Sequence, residues 1–247
     1  MKKIRIVVGL ILWLQLLSSV NGDSFHNLSF ESVRQPLVPD PSDPFMRVPI
    51  TDALPFWQGF VGGVEQTSVF YTTRTAGAAS LALVSTDLGF PSLEGKYSVL
   101  LGSSPMSDVT ITQFGHIPDD ARSLRLLGLP GYAGPGSAPL DTIFGVSING
   151  QPLAFTDTFF VPGSHTYSAD VSGFAGTDAT LSLTAFHAMY ADGFTVDAIS
   201  FSPVVVPEPS TLLVFGLASV LGWVFYRPKG RRGLRWFLVS WRCSTHG

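Results

Sequence analysis

From residue 27 to residue 202 the apolar residues come in runs a few residues long, alternating with polar ones or unbroken, and the runs are separated by Gly, Pro, Asn and Asp. A period of two belongs to a strand, and chain breakers at this density leave no room for a long amphipathic helix. Candidate strands are 27–31, 69–71, 81–84, 97–101, 109–114, 123–129, 143–148, 151–155, 165–170, 180–186 and 194–202. Val146-Ser147-Ile148 and Leu153-Ala154-Phe155 flank Asn149-Gly150, two residues that tolerate the positive φ a two-residue hairpin turn demands. An all-β fold follows, an antiparallel sandwich rather than a parallel α/β sheet. Composition agrees: charged residues are 13% of the chain against an average of about 25%, and there are 25 Gly and 18 Pro.

Charge is partitioned along the chain. Lys2, Lys3 and Arg5 stand at its start, and Arg227, Lys229, Arg231, Arg232, Arg235 and Arg242 at its end, with no acid among them. The segment between holds all eighteen acids and six basic residues, a formal balance of −12. Such a domain repels phosphate backbones, so nucleic acid is not an expected partner. The one cysteine, Cys243, lies near the C-terminus, which excludes a disulfide framework for the central segment.

Both ends carry the signals of export. Residues 1–22 have a basic start, an apolar run over 6–17 and small residues Val20 and Gly22 before a cut that would leave Asp23 first, the three-part order of a secretory signal peptide. At the other end Pro207-Glu208-Pro209 holds the chain extended, and an apolar stretch then runs to Tyr226 ahead of a basic cluster. With Thr211 that stretch has sixteen residues. As a helix it would measure about 24 Å, short of the ~30 Å hydrocarbon core, so it needs snorkelling flanks or a thinned bilayer. Basic residues stay on the cytoplasmic side, which puts residues 23–210 across the membrane.

Val206-Pro207-Glu208-Pro209-Ser210-Thr211, an apolar segment containing Gly216 and Gly222, and the Arg-rich patch together resemble the PEP-CTERM sorting signal. The resemblance implies an exosortase partner that recognises the Pro207-Glu208-Pro209 motif, cuts nearby and transfers the protein to a surface acceptor. It also implies that the membrane anchor is transient and that producing cells make exopolysaccharide. Residues 206–232 form this signal, and residues 233–247 depart from it: such tails usually stop near the basic patch. Trp236, Phe237, Leu238, Val239 and Trp241 fit an interfacial amphiphilic tail as well as they fit a functionless read-through.

Between the ends, the succession FHNLSFE, PFWQGF, EGKYSVLL, SLRLLG, FGVSINGQPL, TYSADVSGFAG, LSLTAF and FTVDAISFSP resembles the galactose-binding-like, carbohydrate-binding-module-like jelly-roll domains. The ectodomain is accordingly expected over 23–205. That resemblance implies a structural calcium joining the first and last strands, with Glu31 and Asp197 at the matching places; two carboxylates plus backbone carbonyls suit this ion.

Catalytic signals are absent. Gly145-Val146-Ser147-Ile148-Asn149 lacks the closing glycine of a nucleophile elbow, so Ser147 reads as a strand residue. His26, His116, His165 and His187 have no zinc-ligand spacing. Asp119-Asp120 is an adjacent pair whose side chains diverge on an extended chain, and it reads as a turn after Pro118. A binding role asks only for aromatic faces beside polar groups, for which Trp57, Tyr71, Tyr132 and Tyr190 are the candidates. The sequence thus points to a non-enzymatic surface or matrix protein binding exopolysaccharide or another envelope component. The alternatives are a secreted glycan-active hydrolase or esterase and a purely structural adhesin.

Overall fold

A computed structural model describes residues 23–39, 41–72, 78–88, 92–131, 143–161, 164–187 and 193–206. The strands are β1 (Arg47–Pro49), β2 (Gln58–Val61), β3 (Val64–Gln66), β4 (Ser68–Tyr71), β5 (Ser80–Ser85), β6 (Tyr97–Gly102) and β7 (Val109–His116). They continue with β8 (Ser123–Pro130), β9 (Phe144–Ile148), β10 (Gln151–Pro152), β11 (Phe155–Val161), β12 (Ser164–Asp170), β13 (Asp178–Ala185) and β14 (Gly193–Ser202). One short helix, α1 (Ile50–Ala53), follows β1. Two sheets form, neither closed into a barrel: an eight-stranded one in the order β1-β4-β5-β6-β14-β8-β12-β11 and a six-stranded one in the order β10-β9-β13-β7-β2-β3.

The alternation read from the sequence is what sorts each strand between core and solvent. Along β13, Ala179, Leu181, Leu183 and Ala185 are buried while Thr180, Ser182 and Thr184 are not, and β7 buries Val109 and Ile111 in the same rhythm. Opposite them the eight-stranded sheet contributes Leu81, Leu83, Val99, Leu101, Leu124, Leu126, Phe194 and Val196. Each large apolar side chain so buried contributes about 1.5–3 kcal/mol. The sheets meet at an aromatic contact, Phe144 stacked on Phe194 at 3.8 Å with Tyr167 tilted against it. Inward-facing Gln113 on β7 is buried without strain because its amide bonds both backbone groups of His26: it accepts from the N–H at 2.6 Å and donates to the carbonyl at 2.9 Å.

The hairpin over Asn149-Gly150 forms as expected, with φ of 51° and 77° at the two residues. Asn149 Oδ1 also accepts the Thr180 N–H at 2.9 Å, tying the turn to β13. Asn149→Ala loses that acceptor and with it the short polar side chain that eases an L-residue into the left-handed region, so it should cost about 1–2 kcal/mol, read from the urea unfolding midpoint.

Three expectations are corrected. Residues 27–31 are a turn, not an opening strand: Asn27 and Phe30 have φ of 50° and 58°, and Asn27 Oδ1 takes the Ser32 N–H at 2.8 Å. This places Phe30 in the core against Trp57. The segment 151–155 is not one strand, because after Pro152 the chain leaves the six-stranded sheet and begins β11 in the other. The pairing is antiparallel except between β4 and β5, which run parallel with Phe70 opposite Ala82.

Candidate functional site

The residues that β7, β13, β9 and β2 turn away from the core line up across the outer face of the six-stranded sheet. One row runs Phe60, Thr110, Thr184, Gly145, with exposed Glu65 of β3 beyond Phe60 at the sheet edge, and the next runs Gln58, Thr112, Ser182, Ser147, Pro152. Phe114 and Thr180 begin a third. At the spacing of paired strands the five-residue row measures roughly 19 Å. Its chemistry is hydroxyl and amide with two phenyl rings; Thr110 and Thr184 share a hydrogen bond of 2.9 Å, and Phe114 is 65% exposed. These four strands carry no lysine or arginine. Histidine–aspartate contacts close the two ends of β7 and β13: His116 Nδ1 to Asp178 at 2.7 Å, with Asp119 at 3.7 Å from Nε2, and His187 Nδ1 to Asp108 at 2.7 Å. The middle of the face is uncharged in a domain that is otherwise strongly acidic.

At the β9 and β10 end of this face a cavity of about 720 Å³ opens where the chain crosses between sheets, lined by residues of β9–β12 together with Thr184 and Phe186.

Glu31 and Asp197, far apart in sequence, converge on residues 94–98. Glu31 Oε1 accepts the N–H groups of Lys96 and Tyr97 at 2.8 and 2.9 Å. Asp197 is fully buried: Oδ2 accepts from Ser98 Oγ at 2.6 Å and Glu94 N–H at 3.0 Å, and Oδ1 accepts from the Ala198 N–H at 2.7 Å. A bulge in β14 makes this possible, with Ala198 at φ 48°. Gly95 sits under Glu31, where a β-carbon would collide with the carboxylate. Burial pushes the Asp197 carboxyl up to about 6, its hydrogen bonds oppose the shift, and the charge of Glu31 adds to it. A carboxylate offers about four acceptor positions, so both keep spare lone pairs, and an all-oxygen donor set suits a hard cation. Among the described residues no group of three or more His, Cys, Asp or Glu side chains could hold a metal. Calcium here would therefore draw further oxygens from backbone carbonyls and water.

The aromatic candidates fare differently. Trp57 is a core residue, 4% exposed, its indole N–H donating to the Asn27 carbonyl at 3.1 Å, so its ring offers no face to a ligand. Tyr71 is partly buried against the core, and burial raises its phenol. Tyr132 and Tyr190 lie outside the described residues, as do Pro207, Glu208 and Pro209. The outer-face rows were not singled out from sequence, although the Thr and Ser alternation in VTITQF and DATLSLTA, without a basic residue, was a usable signal.

Among the described residues no helix is long and apolar enough to cross a membrane; the stretch 212–226 lies outside them. Beyond the sandwich, residues 205–232 match the PEP-CTERM protein-sorting motif, which marks an exported protein sorted by an exosortase. No curated protein sequence matches the chain. Of solved structures, the enzymatically active domain of bacteriophage CBA120 tailspike protein 4 is similar at 12% identity and a TM-score of 0.35, over 60% of this chain and 19% of that one. The chain thus spans about a fifth of that structure's length.

Proposed function

We propose that this is a non-enzymatic surface or matrix protein whose jelly-roll ectodomain holds neutral exopolysaccharide, or another uncharged envelope glycan, on the outer face of the six-stranded sheet. In this reading the signal peptide is removed, residues 212–226 anchor the chain transiently, and exosortase processing delivers the domain to the surface. Glu31 and Asp197 hold a structural calcium beside it.

The observation that carries the reading is the uncharged hydroxyl and amide grid with the exposed ring of Phe114 and the half-buried ring of Phe60, set in a domain of strongly negative balance. Hydroxyls and amides both donate and accept, as sugar hydroxyls require, and ring faces pack against the C–H faces of pyranoses. The acidic surroundings disfavour anionic chains.

Incubation of the surface-released protein with the producing cell's own polysaccharide tests it. Binding without a new reducing end or released acyl group supports the reading, and turnover supports a glycan-active enzyme instead. Phe114→Ala should weaken retention about tenfold, equivalent to about 1.4 kcal/mol. Because the ring is largely exposed, the melting temperature should barely move. Affinity electrophoresis and calorimetry read the two effects.

A further inference from the structure

We infer that the cavity at the β9–β11 crossing is a second binding site, one that takes the apolar part of an uncharged amphiphile: a glycan bearing an acyl or alkyl chain. The inference rests on the glycan reading for the head of the ligand only.

The cavity exists because the chain changes sheets. Leu153 N–H still bonds the Val146 carbonyl at 2.9 Å, Ala154 makes the crossing, and Phe155 pairs with Ala169 in the other sheet. The two layers part there, leaving a space of about 720 Å³, within the roughly 300–1,000 Å³ of small-molecule sites. Protein interiors are otherwise packed to the density of organic crystals. Here half-buried Leu153, Phe155 and Phe186 border open volume, with the core residues Phe144 and Val146 behind them.

Gly145 is part of the construction: a β-carbon there would lie 2.8 Å from the Phe186 ring, so only glycine lets that ring lie against β9 as a wall. The lining contains no Asp, Glu, Lys, Arg or His, so a charged group inside would have no counter-charge to offset its desolvation. A long hydrocarbon stem fits. Ser147 and Thr184 belong both to the lining and to the hydroxyl rows of the outer face. A ligand filling the cavity would therefore present its other end to a surface suited to hydroxyls. Apolar body and hydroxylated head together define the class.

The test uses the mature, surface-released protein and n-alkyl β-glucosides of increasing chain length, all below micellar concentration, titrated by calorimetry. Each added methylene should tighten binding about threefold to fourfold until the cavity is full, the increment expected for burying one CH₂. Methyl glucoside should bind at least a hundredfold more weakly than octyl glucoside. Ala154→Trp places an indole at the mouth from an exposed position, so the fold should survive, verified by an unchanged circular dichroism spectrum. That variant should weaken octyl glucoside at least tenfold and flatten the chain-length series. Phe186→Ala, which removes a wall, should also lower the increment per methylene.

Equal affinity for methyl and octyl glucoside, or full octyl binding by a folded Ala154→Trp protein, overturns the proposal. Polysaccharide retention on the wild-type protein is measured separately. Retention without chain-length dependence defeats the cavity site and leaves the glycan reading standing. Chain-length dependence without retention defeats the glycan reading and leaves the cavity as an apolar site.

Discussion

With calcium chelated, the protein should lose about 3 kcal/mol of stability as the pH is raised from 3 to 7, and calcium should restore most of it. The folded state holds the Asp197 proton more tightly than the unfolded chain does, because burial lifts its carboxyl from 3.8 to about 6. Its contribution is therefore fully present below 3.8 and is lost as the pH rises through 6, about 1.36 kcal/mol for each unit. A cation bound to the ionised pair reverses the preference, since it favours the charge that burial penalises. Calcium at a hundredfold excess over its Kd adds about 2.7 kcal/mol. For a domain of this size that separates the melting midpoints with and without chelator by roughly 5–10 °C at pH 7.5, with little separation at pH 4. Asp197→Asn should remove both the pH dependence and the calcium response. Glu31→Gln should remove most of the calcium response while the apo midpoint stays nearly unchanged, because the amide oxygen can still accept the Lys96 and Tyr97 N–H groups. Calorimetric melts in calcium and in chelator decide it, and identical curves at extracellular calcium levels would remove the metal from the account.

Deletion of Pro207-Glu208-Pro209 should change the protein's fate almost completely, leaving the full-length chain in the inner membrane and little at the surface. The match to the sorting motif covers residues 205–232, and in the sequence Pro207-Glu208-Pro209 stands directly ahead of the apolar stretch. Glu208→Gln keeps size and shape and removes the charge, so it separates recognition of the carboxylate from recognition of the two prolines. Mass spectrometry of surface-released protein reads the result. Mature wild-type material still containing residues 212–226 would make the tail an ordinary anchor and end the sorting assignment.

Much of the fold was legible because its signals are local. The positive φ at Asn149 and Gly150 is a property of two residues, and the alternation in VTITQFGH or DATLSLTA states which side of a strand will be wet. What escaped was non-local. FHNLSFE alternates as a strand would, yet Asn27 bonds Ser32 and turns the chain so that Phe30 can reach Trp57, a contact no local pattern reveals. The same contact drew Trp57 into the core and away from any ligand. The parallel pairing of β4 with β5 and the crossing after Pro152 likewise depend on which strands become neighbours. Glu31 and Asp197 were singled out by resemblance, and the structure brings both onto residues 94–98. The outer-face grid needed register: Thr112 and Ser182 are seventy residues apart until β7 and β13 pair.

That grid is the centre of the account, and a charge placed in it is the most direct test. Thr112→Glu with Ser182→Glu puts two carboxylates side by side in the middle of the uncharged rows, while Ser200→Glu puts one on the outward, exposed side of the other sheet. Affinity electrophoresis through neutral polysaccharide should show retention abolished in the first variant and unchanged in the second, both with the wild-type circular dichroism spectrum. Retention that survives in the folded double variant would place the glycan elsewhere and contradict the assignment of this face.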